Sequence, residues 1–385
     1  MQLNRAAIAF RGPTIAITDV AEYAHLSRRD IDSLATALDA IRSEVEESRG
    51  QRDAAYIRRT IMFQRALDVG ARLLIFGSRS RTGWGLGVAA LAVAKSIENM
   101  EIAHNVVHGQ WDWMNDPEIH STTWEWDMAG LSSQWRYSHN YRHHVFTNVV
   151  DVDDDLGFGI MRVTRDVAWR PRNLMQPVRN ALLAIIFEWG IALHGLHSEH
   201  ERASSPAERS TQTQAFKAKI KRQVIKDYVL IPALNGPRWR RALTANAAAN
   251  VLRNLWAYAV IFCGHFPDGA QTFTVDAIQQ ETKGDWYLRQ MLGSANFTAG
   301  RVLAFLSGNL CYQIEHHLFP DLPSNRYAQI AKRVRALCAS YGLPYTTGSL
   351  PRQFLQTQRT IVKLAFPDRR RVDAAPERAV PQRQG

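Results

Sequence analysis

The chain is poor in cysteine. Cys263, Cys311 and Cys338 are the only three in 385 residues, and no two share CxxC spacing. A disulfide framework and a cysteine-ligated metal site are therefore not indicated, and a reducing environment fits. Long clean apolar runs are also lacking, and mean hydropathy is −0.27. That average speaks against a conventional multi-span membrane protein. Several other signatures are missing: the HExxH zinc-protease pattern, a dinucleotide-binding glycine fingerprint, and the spacings of helix-turn-helix, RNA-recognition and zinc-finger modules. The excess of Lys+Arg over Asp+Glu, 47 against 36 or +11, is thus not read as nucleic-acid binding. The apolar residues of MQLNRAAIAFRGPT are too few for a secretory core.

Apolar residues nonetheless make up 46% of the chain, and they are gathered. Residues 82–94 are uncharged. Residues 180–198 hold one charge, Glu188; residues 242–267 hold one, Arg253; residues 290–314 hold one, Arg301. Three of these stretches approach the length of about 20 residues needed to cross a bilayer, yet none is clean. If 180–198 and 242–264 both span, segment 199–241 faces away from the histidines described below. That segment carries ten Lys/Arg against four Asp/Glu. Such a placement opposes the positive-inside tendency, so short, tilted or partly inserted stretches are expected.

Ser27 and Asp30 form a capping-box pattern, followed by Ile31, Leu34, Leu38, Ile41 and Val45 at helical spacing. This predicts an amphipathic packing helix within a soluble prelude, residues 1–55. Residues 346–385 read as a polar, basic tail, disordered at least over 367–385. Five of eleven tryptophans, Trp111, Trp113, Trp124, Trp126 and Trp135, fall within 25 residues and are read as interfacial packing, with the wall of an apolar tunnel as the alternative. Lys217, Lys219, Lys221 and Arg222 are read as a solvated basic face.

The thirteen histidines are the informative residues. His104 and His108 lie in HNVVH; His139, His143 and His144 in HNYRHH; His316 and His317 in QIEHH; His265 in CGHF. An i, i+4 pair lies on one helix face, and neutral imidazole is the commonest metal ligand. One such pair arises often by chance, whereas three clusters in one chain do not. A single zinc needs about four ligands; seven histidines, eight with His265, suit two metal ions. The donors alone admit iron, copper or zinc. His194, His197 and His200 are read as interfacial polar residues, and His25 and His120 as structural or exposed. DVDDD at 151–155 fails as a calcium loop, because its glycine falls late and Arg162 stands at the twelfth position. Asp153 and Asp155 are candidates for orienting nearby histidines.

HxxxH, HxxHH and QxxHH, interleaved with apolar helices, resemble the membrane fatty-acid desaturase family. The resemblance extends over HNVVHGQWDWMNDP, SHNYRHHVFTNVVDVDDDLGF, NLWAYAVIFCGHFPDG and NLCYQIEHHLFPDLP, and covers about residues 60–345. The Gln313 form of the third motif is similar to the acyl-lipid and linoleoyl-CoA-type branch. The resemblance implies an all-α, integral-membrane fold, with residues 56–345 as the desaturase domain and a cytosolic helical cap carrying the histidines. It implies two non-haem irons held by His104, His108, His139, His143, His144, His265, His316 and His317. Gln313 becomes a weak ligand or a group behind the ligands. The metal site faces the cytoplasm, and the substrate is an acyl-CoA or acyl-lipid. No His-Pro-Gly haem pattern precedes the domain, so a separate ferredoxin or reductase would supply electrons. Asn105 replaces the aspartate common in the first motif, which removes a charged partner for His104. A lipid hydroxylase or ketolase shares such a core; a zinc hydrolase is the more distant alternative.

Overall fold

The computed structural model describes residue 20 and residues 22–268 and 270–367; the remainder of the basic tail lies outside the described residues. The body is helical. Helix α1 (Arg28–Glu47) starts as the sequence predicts: Ser27 Oγ accepts from the Asp30 backbone, and Asp30 accepts from the Ser27 N–H at 2.8 Å. Its apolar stripe, Ile31 to Val45, is buried against Leu288, Leu318, Phe319 and Ile330.

Helices α2 (Gln51–Gly77) and α3 (Arg81–Ser96) form a hairpin. Gly87 permits their close approach, since a Cβ there would lie 2.6 Å from Ile75 Cγ1. Then α3 continues through a π-helical stretch, Ile97–His104, and one more turn, Asn105–Val107. A second π-helical stretch, Arg136–His143, carries the second cluster. Single-turn π segments concentrate at functional sites.

Next come α4 (Gln176–Ile185), α5 (Phe187–Arg202), α6 (Pro206–Ile225) and α7 (Trp239–His265). They are followed by α8 (Lys283–Gly293), α9 (Gln313–Leu318), α10 (Tyr327–Ser340) and α11 (Leu350–Leu364). Strands β1 (Asn296–Thr298) and β2 (Thr347–Ser349) pair in parallel, Phe297 opposite Gly348.

Among the described residues no single helix is long and apolar enough to cross a membrane. The segment Pro171–Ile185 and α5 meet that test only together, and they are bent by 105°. The 180–198 stretch is thus broken at Ile186. The 290–314 stretch is no continuous helix either. It breaks into the end of α8, β1, the short helix Arg301–Leu306 and a turn through Gly308 (φ +69°) and Asn309 (φ +57°). Gly308 is required there, because a Cβ would lie 2.4 Å from the Met100 carbonyl oxygen.

Two expectations need correction. Residues 347–364 are not tail: α11 buries Gln353, Thr357, Ile361 and Leu364, a helical repeat hidden in a polar composition, and packs on α7 and α4. Lys219 is not on a solvated face. It is buried, donating to Glu125 at 2.9 Å and to the Trp126 carbonyl at 2.7 Å. Lys95 and Asp227 likewise pair in the interior at 3.1 Å.

Candidate metal centre

The three histidine clusters and His265 come from four separate segments: the end of α3's extension, the second π-helical stretch, the last residue of α7, and α9. Buried hydrogen bonds lock them together. Glu101, one turn before His104, accepts from Tyr56 at 2.7 Å, Ser324 at 2.7 Å and Asn309 at 3.0 Å. This joins α2 and both flanks of α9 to the first cluster. Glu315, beside His316, accepts from Asn296 and Tyr345, each at 2.9 Å, and so fixes α9 to β1.

All eight predicted histidines are buried. Their ring nitrogens gather into sets whose atoms lie within 4.8 Å of one another: His104, His108, His139 and His316; His143, His265 and His317; and, between them, His139, His143 and His144. Ring centroids of His108 and His316 are 4.7 Å apart, and those of His143 and His265 are 4.5 Å apart.

Three rings, His139, His143 and His316, are tied down at Nδ1 and bare at Nε2, while His144 is bare at both nitrogens. His139 Nδ1 meets Asp155 at 2.6 Å, and His143 Nδ1 meets Asp153 at 3.0 Å. His316 Nδ1 meets the Tyr327 hydroxyl at 3.2 Å, and His317 Nδ1 meets Gln290 Oε1 at 3.1 Å. The Nε2 atoms of His108, His139, His143, His144 and His316 have no hydrogen-bond partner among the described residues. Unpaired buried polar atoms are costly. An imidazole anchored at Nδ1 with a bare inward Nε2 is how proteins present metal ligands. The residues present therefore fit a histidine-ligated metal site.

Electrostatics agree. Burial pushes His108, His144, His316 and His317 well below the ordinary imidazole pKa, and their crowded neighbours add to it. These rings are neutral, as metal ligands must be. Burial acts on His143 in the same direction, but the charge and hydrogen bond of Asp153 outweigh it and raise its pKa.

An apolar cleft borders the histidines. Met100, Met128, Trp126, Trp135, Phe187 and Leu310 line it, and it reaches His104, His139, His265 and Gln313.

The sequence profile of the fatty acid desaturase family matches residues 82–349. The chain belongs to the fatty acid desaturase family. A relative from Mycobacterium tuberculosis (strain ATCC 25618 / H37Rv), an NADPH-dependent stearoyl-CoA 9-desaturase, is 59% identical over 373 residues, 94% of this chain and 87% of the relative. An sn-1 linoleoyl-lipid 6-desaturase from Synechocystis sp. (strain ATCC 27184 / PCC 6803 / Kazusa) is 23% identical over 271 residues, 68% of this chain and 74% of that one. Fatty acid desaturase 3 of Bos taurus is 35% identical over 104 residues, 27% of this chain and 22% of its own. The desaturase is thus an oxidoreductase acting on fatty acyl chains, as its motifs imply.

Other residues surround the histidines. Gln313 lies with its amide 2.8 Å from His265 Nε2, which itself faces His317 Nε2 at 3.3 Å. Gly264 makes room for Gln313; a Cβ there would stand 2.8 Å from its Cδ. Asn105 serves His104 as a neutral acceptor at 3.2 Å. Trp135 is not interfacial: it stacks on His139 at 4.2 Å and touches Trp126 at 5.3 Å. Trp111, also read as interfacial, is fully buried. His194, expected among interfacial polar residues, is only 12% exposed with Nε2 3.4 Å from Asp155, while its neighbour His197 is exposed. Nothing local marks Thr147, Gln290 or Tyr327 as supports of the third cluster. They reach it only through the fold.

Proposed function

We propose that the two histidine sets hold two irons and that the enzyme introduces a double bond into a long-chain acyl thioester, at the 9-position of a stearoyl-type chain. Eight buried imidazoles beside an apolar cleft carry this reading. The acyl-CoA class and the position are supported by the Mycobacterium tuberculosis relative's activity. Iron, when bound, supplies the O₂-dependent oxidising power needed to remove two hydrogens from unactivated methylenes.

The chain's own residues do the rest. His104, His108, His139 and His316 hold one ion; His143, His265 and His317 hold the other; His144 lies between the two. Asp153, Asp155, Tyr327 and Gln290 orient the rings. Gln313 acts behind the ligands through His265. The apolar cleft fixes the acyl chain by shape and excludes water.

Electrons come from a separate NADPH-dependent donor, a role consistent with the absence of a nucleotide fingerprint and with the relative's description. The protein sits in a bilayer with the metal centre facing the cytoplasm. Large apolar side chains that face outward support the bilayer contact: Met62, Phe63, Val69 and Leu73 on α2, Leu86 on α3, Val178 and Leu182 on α4, and Leu252 and Leu255 on α7.

Fatty-acid profiling of a host that expresses the full chain tests the reading. New 9-unsaturated C18 acids are expected. Hydroxylated acids without new double bonds would refute it in favour of the lipid hydroxylase alternative.

A further inference from the structure

Two cavities meet at one aromatic ring. The first is an outer cleft of about 530 Å³, bordered by Arg142, Arg170 and Arg172. The second is the apolar cleft beside the histidines, which encloses only about 40 Å³. Phe158 and His194 line both. The Phe158 ring is buried, stacks on Phe262 at 5.5 Å, and meets His194 edge-on at 5.5 Å.

The inner space has room for only a few water molecules, at about 10–15 Å³ of such space each. Phe158 therefore stands between a roomy outer cleft and a narrow inner one. Phe158 is placed to move. It follows Gly157 (φ +73°) and precedes Gly159 (φ +66°), and is itself at φ +52°. A left-handed backbone is a true outlier for a bulky residue. Such strain, held by surrounding packing, collects at clamps and switches. A Cβ at Gly159 would meet nothing within 4 Å, so one side of this three-residue turn is open.

The outer cleft suits the polar end of an acyl thioester. Arg170 and Arg172 are exposed there and form no ion pair among the described residues. Of the acids lining the cleft, Asp153 serves His143, Asp154 pairs with Arg142 at 2.9 Å, and Asp166 accepts from Thr164 and Thr272. Asp151 and Glu201 also border it.

We propose that Phe158 is the gate between the outer cleft and the metal-lined cavity. Its ring swings on the Gly157–Gly159 turn to admit an acyl chain whose anionic head stays with Arg170 and Arg172. The proposal rests on the reading of this chain as an acyl-thioester desaturase.

The test uses the full chain, loaded with iron in detergent micelles, and a nitroxide-labelled stearoyl-CoA whose immobilisation is followed by stopped-flow EPR. Phe158→Ala and the milder Phe158→Leu are expected to speed association by about one decade, within the range over which related complexes vary. Phe158→Trp should slow it. Iron per chain should stay at the wild-type value in all three, and KM for stearoyl-CoA should change more than kcat. Equal association rates in all variants, at unchanged iron content, would overturn the gate and leave the desaturase reading standing. A wild-type chain that binds no iron and makes no unsaturated product would instead overturn that reading.

Discussion

Glu188 and Arg253 form an ion pair at 2.6 Å, with side chains only 2% and 1% exposed. Each is the lone charge in its own apolar stretch, 180–198 and 242–267. The two charges that spoil the hydropathy pattern therefore neutralise each other and join α5 to α7. Removing one partner strands the other in the interior, which costs about 3–5 kcal/mol, whereas replacing both with apolar residues of similar volume is often neutral. Glu188→Ala or Arg253→Ala should lower stability by about that amount in denaturant titrations, and Glu188→Leu with Arg253→Met should recover most of it. Single variants as stable as the parent would contradict the pairing.

Asp153 and Asp155 touch ring nitrogens rather than substrate. Their conversion to asparagine removes the charge that orients His143 and His139. Loss of such a partner weakens metal affinity by roughly 10–100-fold. Competition against an iron chelator should show Asp153→Asn and Asp155→Asn weakened in that range, with the helical circular-dichroism signal retained. Wild-type affinity in both would mean these carboxylates do not support the site.

Helix α11 should be indispensable. Truncation after residue 346 removes β2 and the buried Ile361 and Leu364. Burying such a side chain is worth about 1.5–3 kcal/mol, and Phe297 on β1 loses its strand partner. The truncated chain should aggregate or lose iron on gel filtration. A monodisperse, iron-containing product would show that this segment is peripheral.

The histidine centre was legible because its ligands come in short, fixed spacings. HxxxH and HxxHH place imidazoles on one helix face before any tertiary contact is known, and all eight converge. The capping box of α1 was readable for the same local reason. What escaped depends on contacts across many residues. Trp135 looked like its neighbouring tryptophans, yet the fold stacks it on His139 and sets it in the wall of the apolar cleft. His194 looked like His197, but the face of α5 it occupies turns it toward Asp155, whereas His197, three residues on, is exposed. Lys219 and α11 were misread because average polarity hides a one-sided burial pattern. The 290–314 stretch looked continuous because composition does not register the left-handed turn at Gly308 and Asn309.

Metal content per chain tests the central claim most directly. Elemental analysis of the purified full chain, paired with His265→Ala, separates the two histidine sets. The account predicts two irons in the wild type, and one retained iron with no desaturation in the variant, because His265 belongs to only one set. A single zinc in the wild type, or two irons undisturbed by His265→Ala, would contradict it.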